Sequence, residues 1–325
     1  MFERVDMRFL FWLLAIVSVF WSGYWFVGSR SVEKAAVLAL EEAALSGYDV
    51  AYSSLNTTGF PSRFDTTIKD IDILTLAGLR WKASFIQLFA LSYKPNHIIA
   101  VWPHEQVLEY QGNQAVISSE DLRASLVVKP RTTLELDRFQ MTGDAVQIVV
   151  NQTQTYRAKA ISAASRQGAL PFSHDVSVTV LELLTPSPRN PSQSLSFDRL
   201  ALDANLEFDA PIGRSEIPAN LTALTLNSLA LSQGTVDLTL TGTLTFDTQG
   251  YATGALTLAA QNWQEGFAMI QDAVAIPEDQ AKTITTLLKG LAFSNGSATD
   301  IQAPLTVKRG KIYMGFIPLG SIPPL

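Results

Sequence analysis

The residues able to do chemistry are few and scattered. The chain carries three histidines, His97, His104 and His174, and no cysteine. His97 and His104 stand seven positions apart in a strand-like stretch, which places them on opposite faces of a regular strand, and Pro103 interrupts the register. No H-E-x-x-H or comparable ligand spacing occurs, so no metal site is expected. Without cysteine there is no disulfide framework, thiolate nucleophile or thiolate-built metal centre. Ser31-Val32-Glu33-Lys34 fits S-x-x-K but lacks partner motifs, and Ser31 reads more simply as a helix N-cap. Asp65, Asp70 and Asp72 lie along one putative strand, where solvent exposure explains them without a paired-carboxylate acid/base site. No G-x-S-x-G, Walker A or G-x-G-x-x-G sequence is present. A protein that is not an enzyme and takes no cofactor is the expectation.

The elements that carry these residues begin with an apolar run. Phe9 to Val27 holds nineteen residues without a charge, a helix of about 28 Å at ~1.5 Å per residue, close to a hydrocarbon core of roughly 30 Å. Trp21, Tyr24 and Trp25 crowd its C-terminal end like an interfacial aromatic belt. A cleaved signal peptide competes, but its apolar region is shorter and ends in small residues. The run predicts an uncleaved transmembrane anchor. Arg4 and Arg8 before it are matched by Arg30 and Lys34 after it, so the short leading tail decides for a cytoplasmic N-terminus and a periplasmic remainder. A formal charge of −6 argues against a nucleic-acid partner.

Ser31 to Leu45 is rich in helix formers, with Gly47 as its stop. From Tyr48 the period changes to two, and strands are expected near 48–56, 63–75, 79–93, 97–103, 106–110, 114–118, 122–129, 132–141 and 145–150. Turns are expected at Thr58–Pro61, Lys94–Asn96, Gln111–Asn113, Lys129-Pro130 and Thr142–Asp144. Thr185 to Gln193 holds three prolines in nine residues and reads as a linker, dividing the chain into an anchor (1–30), a first β-rich domain with its helix (31–185) and a second with two helices (194–325). Strands follow at 195–202, 206–208, 223–231, 235–247 and 251–260. Helices are expected at Trp263–Ala275 and from Pro277 to Lys289, closed by Gly290, and strands return at 301–307 and 311–316. Leu134, Leu136, Phe139, Met141, Val146 and Ile148 match Leu224, Leu226, Leu229, Leu231, Val236 and Leu238 at an offset of ninety, a weak sign of duplication.

The fold class is therefore mainly β with a few helices: a transmembrane helix, then long, antiparallel, twisted sheet. Its clearest strand sets Val236, Leu238, Leu240, Leu244 and Phe246 on one face against threonines on the other. An apolar face must be covered. A second sheet would make a closed sandwich, whereas a curved sheet would leave an apolar groove for a lipid chain, with these five residues as its lining.

Gly59-Phe60-Pro61-Ser62-Arg63-Phe64, soon after a single anchor, and the closing stretch VKRGKIYMGFIPLGSIPPL together resemble an uncharacterised alphaproteobacterial family, domain of unknown function 2125. The resemblance covers nearly the whole chain and implies an inner-membrane protein with a periplasmic domain and no established activity. Gly242 to Asn262 is more weakly similar to strand repeats of AsmA-like envelope proteins, which implies a scaffold in envelope assembly or lipid transport with an apolar groove for acyl chains. Neither resemblance supplies a catalytic residue. In GFPSRF, Gly59 can take positive φ and Pro61 fixes the chain, which makes a structural turn. The competing role is a lipid-phosphate contact by Arg63. The expectation is a membrane-anchored periplasmic protein that binds lipid or another apolar envelope component. The alternative is a non-enzymatic envelope scaffold that binds a protein partner.

Overall fold

A computed structural model describes residues 7–188, 193–214, 219–274, 278–294 and 296–325. The protein is mainly β, with an antiparallel sheet and a long apolar N-terminal helix. It divides into two compact units, the first formed by residues 1–117 and 123–125, the second by 118–122 and 126–325.

Unit 1 opens with α1 (Met7–Leu45). This helix is long and apolar enough to cross a membrane, and only 6% of its most apolar stretch is buried. It runs unbroken through Ser31, whose hydroxyl donates to the Val27 carbonyl at 2.8 Å, so Ser31 is an interior residue and not the expected N-cap. Gly47 does end it: at φ 92° it lets the Tyr48 amide reach the Ala43 carbonyl and its own amide reach Ala44. Then come β1 (Asp49–Ala51), β2 (Ser54–Thr58), β3 (Arg63–Leu74), β4 (Leu79–Leu91), β5 (Lys94–Val101), β6 (Glu105–Tyr110) and β7 (Asn113–Ser118). β3 pairs with β1, β2 and β4, and β4 pairs with β5 near its end and β6 near its start. The expected turn at Lys94–Asn96 falls two residues earlier, at Ser92-Tyr93. β8 (Asp121–Val128) contributes residues to both units.

Unit 2 is a meander of long strands: β9 (Leu136–Val150), β10 (Gln154–Gln167), β11 (Ser173–Pro186), β12 (Ser194–Phe208), β13 (Leu221–Gln233), β14 (Val236–Phe246) and β15 (Ala252–Gln261). After α2 (Trp263–Val274) and α3 (Glu278–Ser294) come β16 (Ile301–Lys308), β17 (Lys311–Met314) and β18 (Ile317–Ser321). Each strand from β9 to β16 pairs with the next in the sheet, β15 with β16 across the two helices.

Three expectations in unit 2 are corrected. Thr142–Asp144 is not a turn but the middle of β9, because Gly143 and Asp144 pair with Ile161 and Ala160. The proline-rich stretch is not a domain boundary: Thr185 and Pro186 pair with Leu195 and Ser194, so it joins adjacent strands as a hairpin. Residues 189–192 of it lie outside the described residues. Gly290 lies inside α3, which runs on to Ser294, where the Gly296 and Ser297 amides reach back to Phe293 and Ala292. Ala275, the expected last residue of α2, and Pro277, the expected start of α3, lie outside the described residues.

Candidate functional site

Strand register builds one apolar face across unit 2. Residues directly opposite on neighbouring strands share a face. One row of partners runs Met141, Ala163, Val178, Leu202, Leu229, Leu240, Leu258 and Ala303, apolar in all eight strands from β9 to β16. The row two residues away runs Gly143, Ile161, Val180, Leu200, Leu231, Leu238, Ala260 and Ile301. The intervening positions, Thr142, Ser162, Thr179, Ala201, Ala230 and Thr239, are small or polar and form the other face.

Two irregularities keep the face continuous. On β13 the register slips between Leu226 and Leu229, so the extra residue puts both Leu226 and Leu229 on the apolar side. On β9 and β11, Ala145 (φ 49°) and Glu182 (φ 48°) break the alternation on strands separated only by β10. A Cβ on Gly143 would meet Ile161 and Val146 at 2.9 Å each, so Val146 beyond the kink still points to the apolar side.

Coverage of the face is uneven. α2 packs on β14 and β15, and α3 on β16. Trp263, Leu288 and Ala292 join Val236, Leu238, Leu244, Leu256 and Ala260 in one buried cluster, with Leu240 and Phe246 packed against it. α2 approaches so closely that a Cβ on Gly266 would lie 3.0 Å from Val236 and Leu238. The five residues expected to line a groove therefore belong to a helix-covered core. Their place as ligand contacts passes to the same rows further along the sheet. There Met141, Ala163 and Val178 are half-buried and Leu229 is 37% exposed, while Leu202 lies at the margin, packed against the core cluster. Polar residues enter this face as a pair: His174, 4% exposed, has its Nδ1 3.2 Å from Ser165 Oγ, and its ring meets Phe208 edge-on. Burial holds its pKa below the ordinary imidazole value, with Lys129 adding in the same direction. Its neighbour Asp175 is held below the usual carboxylate range by hydrogen bonds from Asn205 and Arg166.

The GFPSRF segment occupies a different place, in unit 1. It is a turn between β2 and β3, with a cis Phe60-Pro61 bond, and it docks on α1. Trp21 Nε1 donates to the Pro61 carbonyl at 2.9 Å, Trp25 Nε1 to Arg63 at 2.8 Å, and Tyr24 Oη to Ser92 at 2.6 Å. Trp25 is buried between Phe60 and Phe64, with ring centroids 5.4 and 6.1 Å away, and Phe26 stacks on Phe60. Gly28 leaves room for the Phe64 ring, which an added Cβ would meet at 2.7 Å. The expected turn is thus present. Arg63 serves it through its backbone carbonyl, while its guanidinium, in a side chain 56% exposed, pairs with Asp65 at 2.7 Å. The sequence pattern casts Trp21, Tyr24 and Trp25 as a lipid-facing belt and misses this docking. Part of the signal is present in it: aromatics at i, i+3 and i+4, and a second aromatic pair in GFPSRF.

Of the histidines, His97 Nε2 lies 2.8 Å from Ser125 Oγ, and among the described residues no group of three His, Asp or Glu is placed to hold a metal ion. No match is found among curated proteins or solved structures, and no similarity to AsmA-like proteins is shown. Residues 25–323 match the family model described as "Uncharacterized protein conserved in bacteria (DUF2125)", and the chain belongs to that family.

Proposed function

We propose that this chain is a single-pass protein of the bacterial inner membrane whose periplasmic part holds acyl chains or another apolar envelope component, without chemistry on them. The observation that carries the reading is the continuation of the apolar rows beyond the core cluster onto β9–β11, where Met141, Ile161, Ala163 and Val178 are only half-buried. A face of this kind on a water-facing sheet marks a binding surface. The apolar, largely unburied α1 supports anchoring. Envelope assembly or lipid transport is the setting such a carrier would serve.

The test uses full-length protein in vesicles containing a phospholipid with a diazirine on its acyl chain, irradiated and mapped by peptide mass spectrometry. Adducts at Met141, Leu202 or Leu229, beside those within Phe9–Val27, are expected. Adducts confined to Phe9–Val27 overturn the reading. Cross-linking in cells that ties this same face to one envelope protein would establish a scaffold in its place.

A further inference from the structure

We infer that two loops of unit 1, Gly59–Ser62 and Ser92-Tyr93, enter the interface of the membrane that α1 spans; this rests on α1 being a spanning anchor. The argument is one of length. The charge-free run between Arg8 and Arg30 comprises 21 residues, about 31 Å of helix, just enough for a hydrocarbon core of roughly 30 Å. Phe9–Phe20 alone would cover only about 18 Å. The helix cannot slide to make up the difference, because Glu3, Arg4, Asp6 and Arg8 would be drawn into the hydrocarbon. Trp21 to Trp25, roughly 6 to 12 Å along the helix from the end of this run, must therefore lie within the membrane, toward its hydrocarbon–headgroup boundary on that side.

Those are the residues that bind unit 1. Trp21 donates to Pro61, Trp25 to Arg63 and Tyr24 to Ser92, which holds both loops beside this last part of the span and so within the membrane's boundary region. The side chains facing outward there suit it. Phe60 is 51% exposed and Tyr93 66% exposed, neither loop contains an acidic residue, and Arg63 and Lys94 follow immediately as cations. The occupant of this surface is the headgroup layer around α1, with Phe60 and Tyr93 as its aromatic wedges.

The chain has no cysteine, so single substitutions label cleanly. Full-length F60C, Y93C, F20C and L76C variants carry an environment-sensitive fluorophore in phosphatidylcholine–phosphatidylglycerol vesicles doped with doxyl lipids. Leu76, 73% exposed in the turn after β3, is the aqueous control at the far end of that strand. Emission at positions 60 and 93 is expected to be blue-shifted and quenched severalfold more than at 76, with position 20 quenched most by deep doxyl groups. Water-like emission at 60 and 93 with position 20 quenched overturns the inference and leaves the anchor standing. An unquenched position 20 overturns the anchor and the inference together. Because Phe60 packs on Trp25 and F60C can disturb folding, Y93C, at a more exposed position, decides the case alone.

Discussion

At the scale of single residues, backbone and side-chain roles separate in GFPSRF. Gly59 sits at φ 104°, and a Cβ there would lie 2.8 Å from the Arg63 carbonyl oxygen. G59A is therefore expected to lower stability by at least ~1 kcal/mol, since both the conformation and the contact penalise a side chain. R63A removes an ion pair whose arginine is exposed but whose Asp65 side chain is only 14% exposed, and is expected to cost about 1–2 kcal/mol, more than a surface pair. Chemical denaturation of both variants checks this; a large loss in R63A would give the guanidinium a structural role. His174 supplies a pH signature. Its folded pKa lies below the ordinary value, so the unfolded chain takes up the proton first as pH falls. Stability is then fully present above the unfolded value near 6.5 and declines as pH drops toward the folded value, by at most ~1.4 kcal/mol per pH unit. H174F is expected to flatten the fall in melting temperature between pH 7 and 5.5, whatever it does at neutral pH. An unchanged slope would assign the acid sensitivity to other groups.

At the scale of elements, the β13 bulge ties sequence to site. Leu224 and Leu226 keep one alternation phase, Leu229 and Leu231 the other, and the residues between them absorb the change. Deleting Ser228 would remove the extra residue and leave L-x-L-x-L-x-L, in which strict alternation keeps all four leucines on the apolar side. The expected result is a full chain whose melting temperature falls by no more than a few degrees, with no new protease cleavage in β13; early melting would show that the bulge itself, and not only the leucine phase, is required. The spacing L-x-L-x-x-L-x-L is legible in the sequence, but only as half of a weak repeat. Its counterpart on β9 departs from it, since Leu134 precedes the strand. Most strands are legible because β-branched and aromatic residues alternate with polar ones. β10 and β11 are absent from the expected strands: β11 although Val176, Val178 and Val180 alternate in it, and β10 because Ala158, Ala160, Ala163 and Ala164 fill it with a poor strand former that pairing on both sides nevertheless holds. The prolines at 186 and 188 point to a boundary for the same local reason, although Pro186 ends a strand it can occupy. Of the site, the sequence shows the apolar face of β14 but not that α2 and α3 cover it, because which face a helix lands on is decided by contacts distant in the chain.

At the scale of the whole molecule, unit 2 carries one apolar face in two conditions, and a single charge can tell them apart. Under α2 and α3, Leu238 is 8% exposed and touches the helix, whereas Leu229, one row over and one strand away, is 37% exposed. L238D would leave an unpaired carboxylate in a closed core and is expected to destabilise by more than ~3 kcal/mol, enough to unfold unit 2 in part. L229D would place its carboxylate where water already reaches and is expected to cost about 1 kcal/mol. The two substitutions differ just as sharply in binding. A charge at Leu229 stands in the path an acyl chain would take along Met141, Val178 and Leu202, so L229D is expected to reduce photolipid adducts at Met141 and Leu202 severalfold while the melting transition is kept. Calorimetry and adduct mapping on the same samples give both readouts. If L229D melts as early as L238D, the face is sealed by protein along its whole length and there is no room for a ligand. If it keeps both its melting temperature and its adducts, the lipid lies elsewhere, and the half-buried rows are left to a protein partner.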